Sequence, residues 1–128
     1  TRARLTPERT PLLSWLSAGV LAARVHDIEI IDGIYNDFND EEGLRRQAEQ
    51  GRDMGFDGKM LIHPSQIGPV NQIFAPSAEE IEFARKIITI FDRPENMDKG
   101  VVQIDGVMVE RLHIGVAQRV LDLMAATS

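Results

Sequence analysis

The chain has 128 residues, 43% of them hydrophobic, which is enough apolar material for a packed core and rules out wholesale disorder. A formal net charge of −6 argues against a broad nucleic-acid surface and leaves room only for a local phosphate patch. The absence of cysteine excludes disulfides and thiolate metal sites and agrees with a reducing, cytoplasmic setting, while no apolar run approaches bilayer-spanning length, so no membrane partner is expected. The opening TRARLTPERT has neither a Met nor a signal-peptide pattern, as a segment taken from a longer polypeptide would.

Thr10-Pro11 suits an N-cap followed by proline at the first helical position, where its missing N–H costs nothing. Leu12, Leu13, Leu16, Val20 and Ala23 then share a face, predicting a helix to about Arg24. The β-branched run from Ile28 to Asp32 predicts a strand ended by Gly33. A loop leads to a helix capped near Asn39 or Asp40, with Glu41 and Glu42 facing its dipole and Leu44, Ala48 and Met54 inward, closing at Gly55. Lys59 to Ile62 predicts a second strand, and Val70 to Phe74 a short helical turn. Ser77 and Glu80 form a capping box ahead of the stripe Ile81, Ala84, Ile87, Ile88 and Phe91. RPENMDKG is a breaker-rich linker. VVQIDGVMVE predicts a hairpin turning at Asp105-Gly106, a favourable type I′ pair, and the last helix spans about His113 to Ala126 with Ile114, Ala117, Val120, Leu121 and Met124 inward.

This order is α/β, with both strands apolar enough to lie parallel and covered on both faces. Both end in polar clusters, Asp32-Gly33 and His63-Pro64, about 31 residues apart, which is one β/α unit. In such sheets ligands sit beyond the carboxyl ends of the strands, so the two clusters should be neighbours on a ligand face. An Asp-Gly turn and a proline stop would give the same letters without a ligand.

VLAAR (Val20 to Arg24), IIDGIYNDFNDEEGLRRQAEQGRDMGFDGKMLIHPSQIGPVNQIFAPS (Ile30 to Ser77) and the tail IDGVMVERLHIGVAQRVL (Ile104 to Leu121) resemble the citrate lyase beta-subunit-like family, CoA-thioester lyases of the HpcH/HpaI aldolase superfamily that include malyl-CoA and citramalyl-CoA lyases. That resemblance implies a (β/α)8 TIM barrel with a C-terminal extension, assembled as trimers or hexamers. A whole barrel takes roughly 250 residues. The chain would therefore hold the last two β/α units with the preceding helix over residues 1–92, then a linker, hairpin and helix extension over 93–128. Its partners would be the missing N-terminal part of the barrel and further copies of itself.

By the same resemblance, the activity is Mg²⁺-dependent carbon–carbon cleavage or formation of a 3-hydroxyacyl-CoA thioester such as malyl-, citramalyl- or citryl-CoA. The metal would chelate the substrate's carboxylate and hydroxyl. Its Glu and Asp ligands and a substrate-gripping Arg belong to earlier strands, so no metal ligand is assigned here. Asp32 and Gly33 match the family's strand-end IDG lining the acyl-CoA channel, with Tyr35 and Asp37 on the following loop. His63 and Pro64 match the IHP bordering the CoA mouth. MVERLH (Met108 to His113) stands where several members read MIDxPH, so Glu110 takes the place of an Asp that reaches a neighbouring subunit's site as acid/base, and Leu112 that of a Pro. The bland readings are a turn acceptor at Asp32, a loop-bonding histidine at His63 and a solvated helix-start carboxylate at Glu110.

Two metal patterns are set aside. Glu110-x-x-His113 lacks the further carboxylates a bundle site needs, and Asp37-x-Asn39-x-Glu41 has Glu42 where a calcium loop requires Gly. The competing functions are a non-catalytic acyl-CoA-binding or assembly homologue and an aldolase acting on free 2-oxo acids; the GFDGKMLIHPSQI word argues against the latter.

Overall fold

A computed structural model describes residues 2–126, and its elements divide into two compact units, 1–74 and 75–128. This division lies ahead of the 92/93 boundary read from linker composition, because the helix before the linker packs with the hairpin and last helix that follow it.

In the first unit a 3₁₀ turn, Thr10–Leu12, runs into α1, Leu13–Val25. Thr10 does not cap it, contrary to the expectation: the cap position belongs to Arg9, held at φ 54 with no side-chain cap bond. The predicted inward face is otherwise the less exposed one, with Val20 buried. β1, Ile31–Asp32, pairs in parallel with β2, Gly58–Lys59, in the register Ile31 opposite Gly58 and Asp32 opposite Lys59. Both strands are shorter than their apolar runs predict. A ladder exists only where a partner strand supplies hydrogen bonds, and among the described residues Ile28, Met60 and Ile62 are left 59%, 58% and 48% exposed.

α2, Glu41–Met54, is capped by Asp40, whose carboxylate accepts from the Gly43 N–H at 2.9 Å, and closes on Gly55 at φ 96, a left-handed position natural to glycine. Its Leu44 and Ala48 pack on Val70 and Ile73 of α3, Ile67–Phe74. A 3₁₀ turn, Pro64–Gln66, leads into α3, so helical structure begins earlier than Val70. Pro69 lies within the first turn, where its missing N–H has no intrahelical acceptor to lose.

In the second unit α4, Ala78–Phe91, starts at the expected reciprocal Ser77–Glu80 capping box. β3, Val101–Ile104, and β4, Val107–Glu110, form the antiparallel hairpin, and both turn residues have positive φ (Asp105 50, Gly106 85), as a type I′ turn requires. α5 spans His113–Ala126. Ala84, Ile87, Phe91, Val102, Ile104, Val109 and Ala117 make the core, flanked by Ile114, Val120 and Leu121. No helix among the described residues is long and apolar enough to cross a membrane.

Candidate functional site

The first unit brings the two strand ends together. Asp32 sits at the carboxyl end of β1 and is only 1% exposed. Its Oδ1 accepts from Arg9 Nη1 at 2.6 Å and from the Gly33 N–H at 2.9 Å; its Oδ2 accepts from Lys59 Nζ at 3.0 Å. The Lys59 ammonium also donates to the Gly33 carbonyl (2.7 Å) and to Gln47 Oε1 (2.7 Å), so its three protons are all used. Burial pushes the Lys59 pKa below the usual lysine range, and Asp32 opposes that shift. Arg9 further donates through Nε to Gln50 Oε1 at 2.8 Å. Sequence reasoning placed Asp32 on the ligand channel; the structure turns its carboxylate into this ion cluster. Gly51 makes room for it, since a Cβ there would lie 2.9 Å from Asp32 Oδ2.

Beyond β1 the loop passes Gly33, Tyr35, Asp37 and Phe38. The Tyr35 hydroxyl donates to Asp40 Oδ2 at 2.6 Å, a bond that raises the Tyr35 pKa and lowers that of Asp40. Asp37 bonds its own loop, accepting from the Asn39 N–H at 3.0 Å. Gln66, 1% exposed, bridges the two strand-end loops: its Nε2 donates to the Tyr35 carbonyl at 3.0 Å and its Oε1 accepts from the Ile62 N–H at 3.0 Å.

His63 stands exposed at the end of the second loop. Its ring stacks on Phe38, with centroids 4.8 Å apart and planes 16° apart. The Ser65 N–H donates to His63 Nδ1 at 3.2 Å, with Ser65 Oγ at 2.8 Å. A lone pair at Nδ1 places the proton of the neutral ring on Nε2, leaving that N–H as the donor the ring can offer a ligand. Pro64 follows at the first position of the 3₁₀ turn. Phe38, Asn39, Glu41, Leu44, His63, Ser65 and Gln66 enclose a cleft of about 380 Å³, within the range of small-molecule sites. Neither Lys nor Arg lines it, and its one charged lining residue is Glu41. A second cleft of about 270 Å³ runs along the same loop beside Thr6, Pro7, Ile34 and Gln47.

Glu110 belongs to the second unit. It ends β4 half-buried, and its carboxylate has no hydrogen-bond or ion-pair partner among the described residues; only its backbone is engaged, the N–H donating to His113 Nδ1 at 2.9 Å. Among the described residues no three His, Asp or Glu side chains lie close enough to hold a metal ion. Lys59, Gln66 and Phe38 were missed in the sequence. Lys59 opposite an Asp in parallel register was the one signal that could have found its pairing.

The HpcH/HpaI aldolase/citrate lyase family model matches residues 2–64. A (3S)-malyl-CoA thioesterase of Cereibacter sphaeroides is 50% identical over 118 residues, covering 92% of this chain and 41% of the relative. The citrate lyase subunit beta of Leuconostoc mesenteroides subsp. cremoris is 37% identical over 94% of the chain and 40% of its own length. The mitochondrial citramalyl-CoA lyase of Homo sapiens is 38% identical over 81% and 31%. The chain thus spans less than half the length of these curated relatives. Protein CitE from Mycobacterium tuberculosis, crystallised with magnesium, acetoacetate and coenzyme A, superposes with a TM-score of 0.75 at 27% identity over 98% of this chain and 46% of that one. The fold is accordingly the mixed α/β fold of citrate lyase-like, TIM-barrel-like structures, and the chain belongs to the HpcH/HpaI aldolase/citrate lyase family.

Proposed function

We propose that this chain is the C-terminal part, the last two β/α units and a hairpin-helix extension, of a (β/α)8 enzyme that cleaves or forms a carbon–carbon bond in a 3-hydroxyacyl-CoA thioester, with malyl-CoA the first substrate to test. The observation that carries the reading is the 50% identity to a malyl-CoA thioesterase across 92% of the chain, together with citrate lyase and citramalyl-CoA lyase relatives. Assembly as trimers or hexamers belongs to the same reading and rests on the family resemblance, while a cytoplasmic location rests on the absence of cysteine.

In the lyase direction the 3-hydroxyl loses its proton and its oxygen becomes a carbonyl. The bond to the carbon next to the thioester breaks, its electron pair passing into a thioester enolate that takes up a proton on carbon. From malyl-CoA the products are glyoxylate and acetyl-CoA. The unpartnered Glu110 carboxylate is the group in this chain suited to move one of those protons, and general acid/base work needs such a free group within hydrogen-bond reach. The His63 Nε2–H and the Phe38 face suit the amides of a pantetheine-type arm, in keeping with a cleft that has no cationic lining. By the family resemblance, Mg²⁺ would be held by a Glu and an Asp on earlier strands of the barrel that this chain does not contain.

A second reading is thioester hydrolysis, favoured by the name of the 50% identical relative. The deciding experiment incubates the intact polypeptide and Mg²⁺ with malyl-, citramalyl- and citryl-CoA. Acyl-CoA products are followed by mass and free thiol by colour. Acetyl-CoA without free thiol establishes the lyase; malate with free CoA thiol establishes the hydrolase. No product from any of the three, with CoA still bound, leaves a binding homologue and removes Glu110 from catalysis.

A further inference from the structure

The buried ion cluster at the carboxyl end of β1 holds two cations and one carboxylate: Arg9, Lys59 and Asp32 are 5%, 7% and 1% exposed. Pairing alone does not account for Lys59. Asp32 already has a cation in Arg9 at 2.6 Å, and desolvating a second one is costly. What Lys59 adds is a grip on the backbone. Its ammonium holds the Gly33 carbonyl at 2.7 Å while Asp32, which it also binds, holds the Gly33 N–H at 2.9 Å. Gly33 is thereby clamped by both of its peptide groups at the point where the chain leaves the sheet. Residues 34–39, which line both clefts, start from that point.

Further along, the loop is held by the Tyr35 carbonyl to Gln66, the Tyr35 hydroxyl to Asp40, Tyr35 packing beside Leu44 and Ala48, Asp37 bonds to the Asn39 and Asp40 N–H groups, and the stacking of Phe38 on His63. No helix or strand covers residues 33–39. We propose that Lys59 is a positioning residue, which through the Gly33 carbonyl sets the path of the 34–39 loop and so the shape of the ligand clefts. The Lys59 side chain is itself fully buried and lines neither cleft. The kinetic part of this inference rests on the function proposed above; the structural part does not.

Two variants of the intact polypeptide test it, because each removes one cation and leaves Asp32 paired with the other. Lys59→Met takes away the hold on the Gly33 carbonyl. Arg9→Met leaves that hold in place and releases the segment before α1 from Asp32, Gln47 and Gln50. Chymotrypsin reads the loop at Tyr35 and Phe38, with the cut sites identified by mass. The expected result is that Lys59→Met is cut after Tyr35 or Phe38 at least about tenfold faster than the parent, while Arg9→Met is cut there at the parental rate. With a thioester substrate, Lys59→Met should raise KM about tenfold with kcat changed far less, as loss of ground-state positioning requires. Equal cutting of the two variants at these sites, or faster cutting spread over the whole chain, would overturn the proposal. Faster local cutting with unchanged KM would uphold Lys59 as the loop anchor and refute the assignment of the clefts to substrate. Faster local cutting in a protein with no turnover at all also upholds the anchor, and there the function is what fails.

Discussion

Asp32→Asn is the sharpest perturbation available, since it keeps the side chain's shape and removes its charge. Two cations lie 2.6 and 3.0 Å from the carboxylate. At an effective dielectric constant of about 20, unit charges about 3 Å apart attract by about 5–6 kcal/mol. Desolvation offsets much of that for each ion. The substitution leaves Arg9 and Lys59 buried together without a counter-charge, and removing one partner of a buried pair costs about 3–5 kcal/mol. Against a total stability of about 5–15 kcal/mol that is a large share. Urea unfolding of the intact polypeptide, followed by far-ultraviolet circular dichroism, should show a loss of unfolding free energy of that size, read as a lower midpoint at unchanged slope. Lys59→Met and Arg9→Met should each cost less, because Asp32 stays paired. Adding Lys59→Met to Asp32→Asn should restore part of the loss, a coupling that a double-mutant cycle reads directly. An Asp32→Asn protein within about 1 kcal/mol of the parent would refute the view of this cluster as a mutually dependent buried unit.

Glu110→Gln keeps the size of the side chain and removes its ability to carry a proton; turnover should fall about 10²–10⁴-fold, and full activity would end its catalytic assignment. Gly43→Ala would put a Cβ 2.1 Å from both Asp40 Oδ2 and the Tyr35 hydroxyl, so it should break that bond and reduce the upward shift of the Tyr35 titration followed by ultraviolet absorbance. Alkaline stability should carry two opposing contributions. Lys59, with its folded pKa below 10.5, binds fewer protons folded than unfolded, so stability rises with pH up to 10.5; Tyr35, raised above 10.0, binds more, so stability falls above 10.0. Lys59→Met should flatten the rise and Tyr35→Phe the fall, each read from urea midpoints across pH 8–11 (roughly the span of the two ordinary pKa values). Ser77→Ala removes the reciprocal cap of α4 and should lower stability by about 1 kcal/mol by the same unfolding assay.

Helices and turns were legible in the sequence wherever their cause was local. The Ser77–Glu80 box, the Asp40 cap, the left-handed Gly55 and the Asp105-Gly106 turn each need only residues a few positions apart, and each stands where the pattern put it. The inward stripes of α2, α4 and α5 were equally plain, because a 3.6-residue period is written directly in the order of apolar side chains. Strand length was not legible. An apolar run shows that a segment wants burial, whereas a ladder exists only where another strand is present to pair, and β1 and β2 pair over two residues each.

The site was half legible for the same reason. That the ends of β1 and β2 would be neighbours follows from the spacing of the β/α unit, and the Gln66 bridge and the Phe38–His63 stack join the two loops that leave them. What Asp32 does there is a different matter. Its partners come from Arg9, 23 residues before it, and Lys59, 27 residues after it. Only the packing of α2 over the paired strands brings two cations and the amide of Gln47 around one carboxylate. Sequence by itself determined which residues were polar at the strand ends; tertiary structure decided which of them line a cleft and which hold the backbone, because hydrogen-bond partnership inside a fold depends on separations in space that no local pattern encodes.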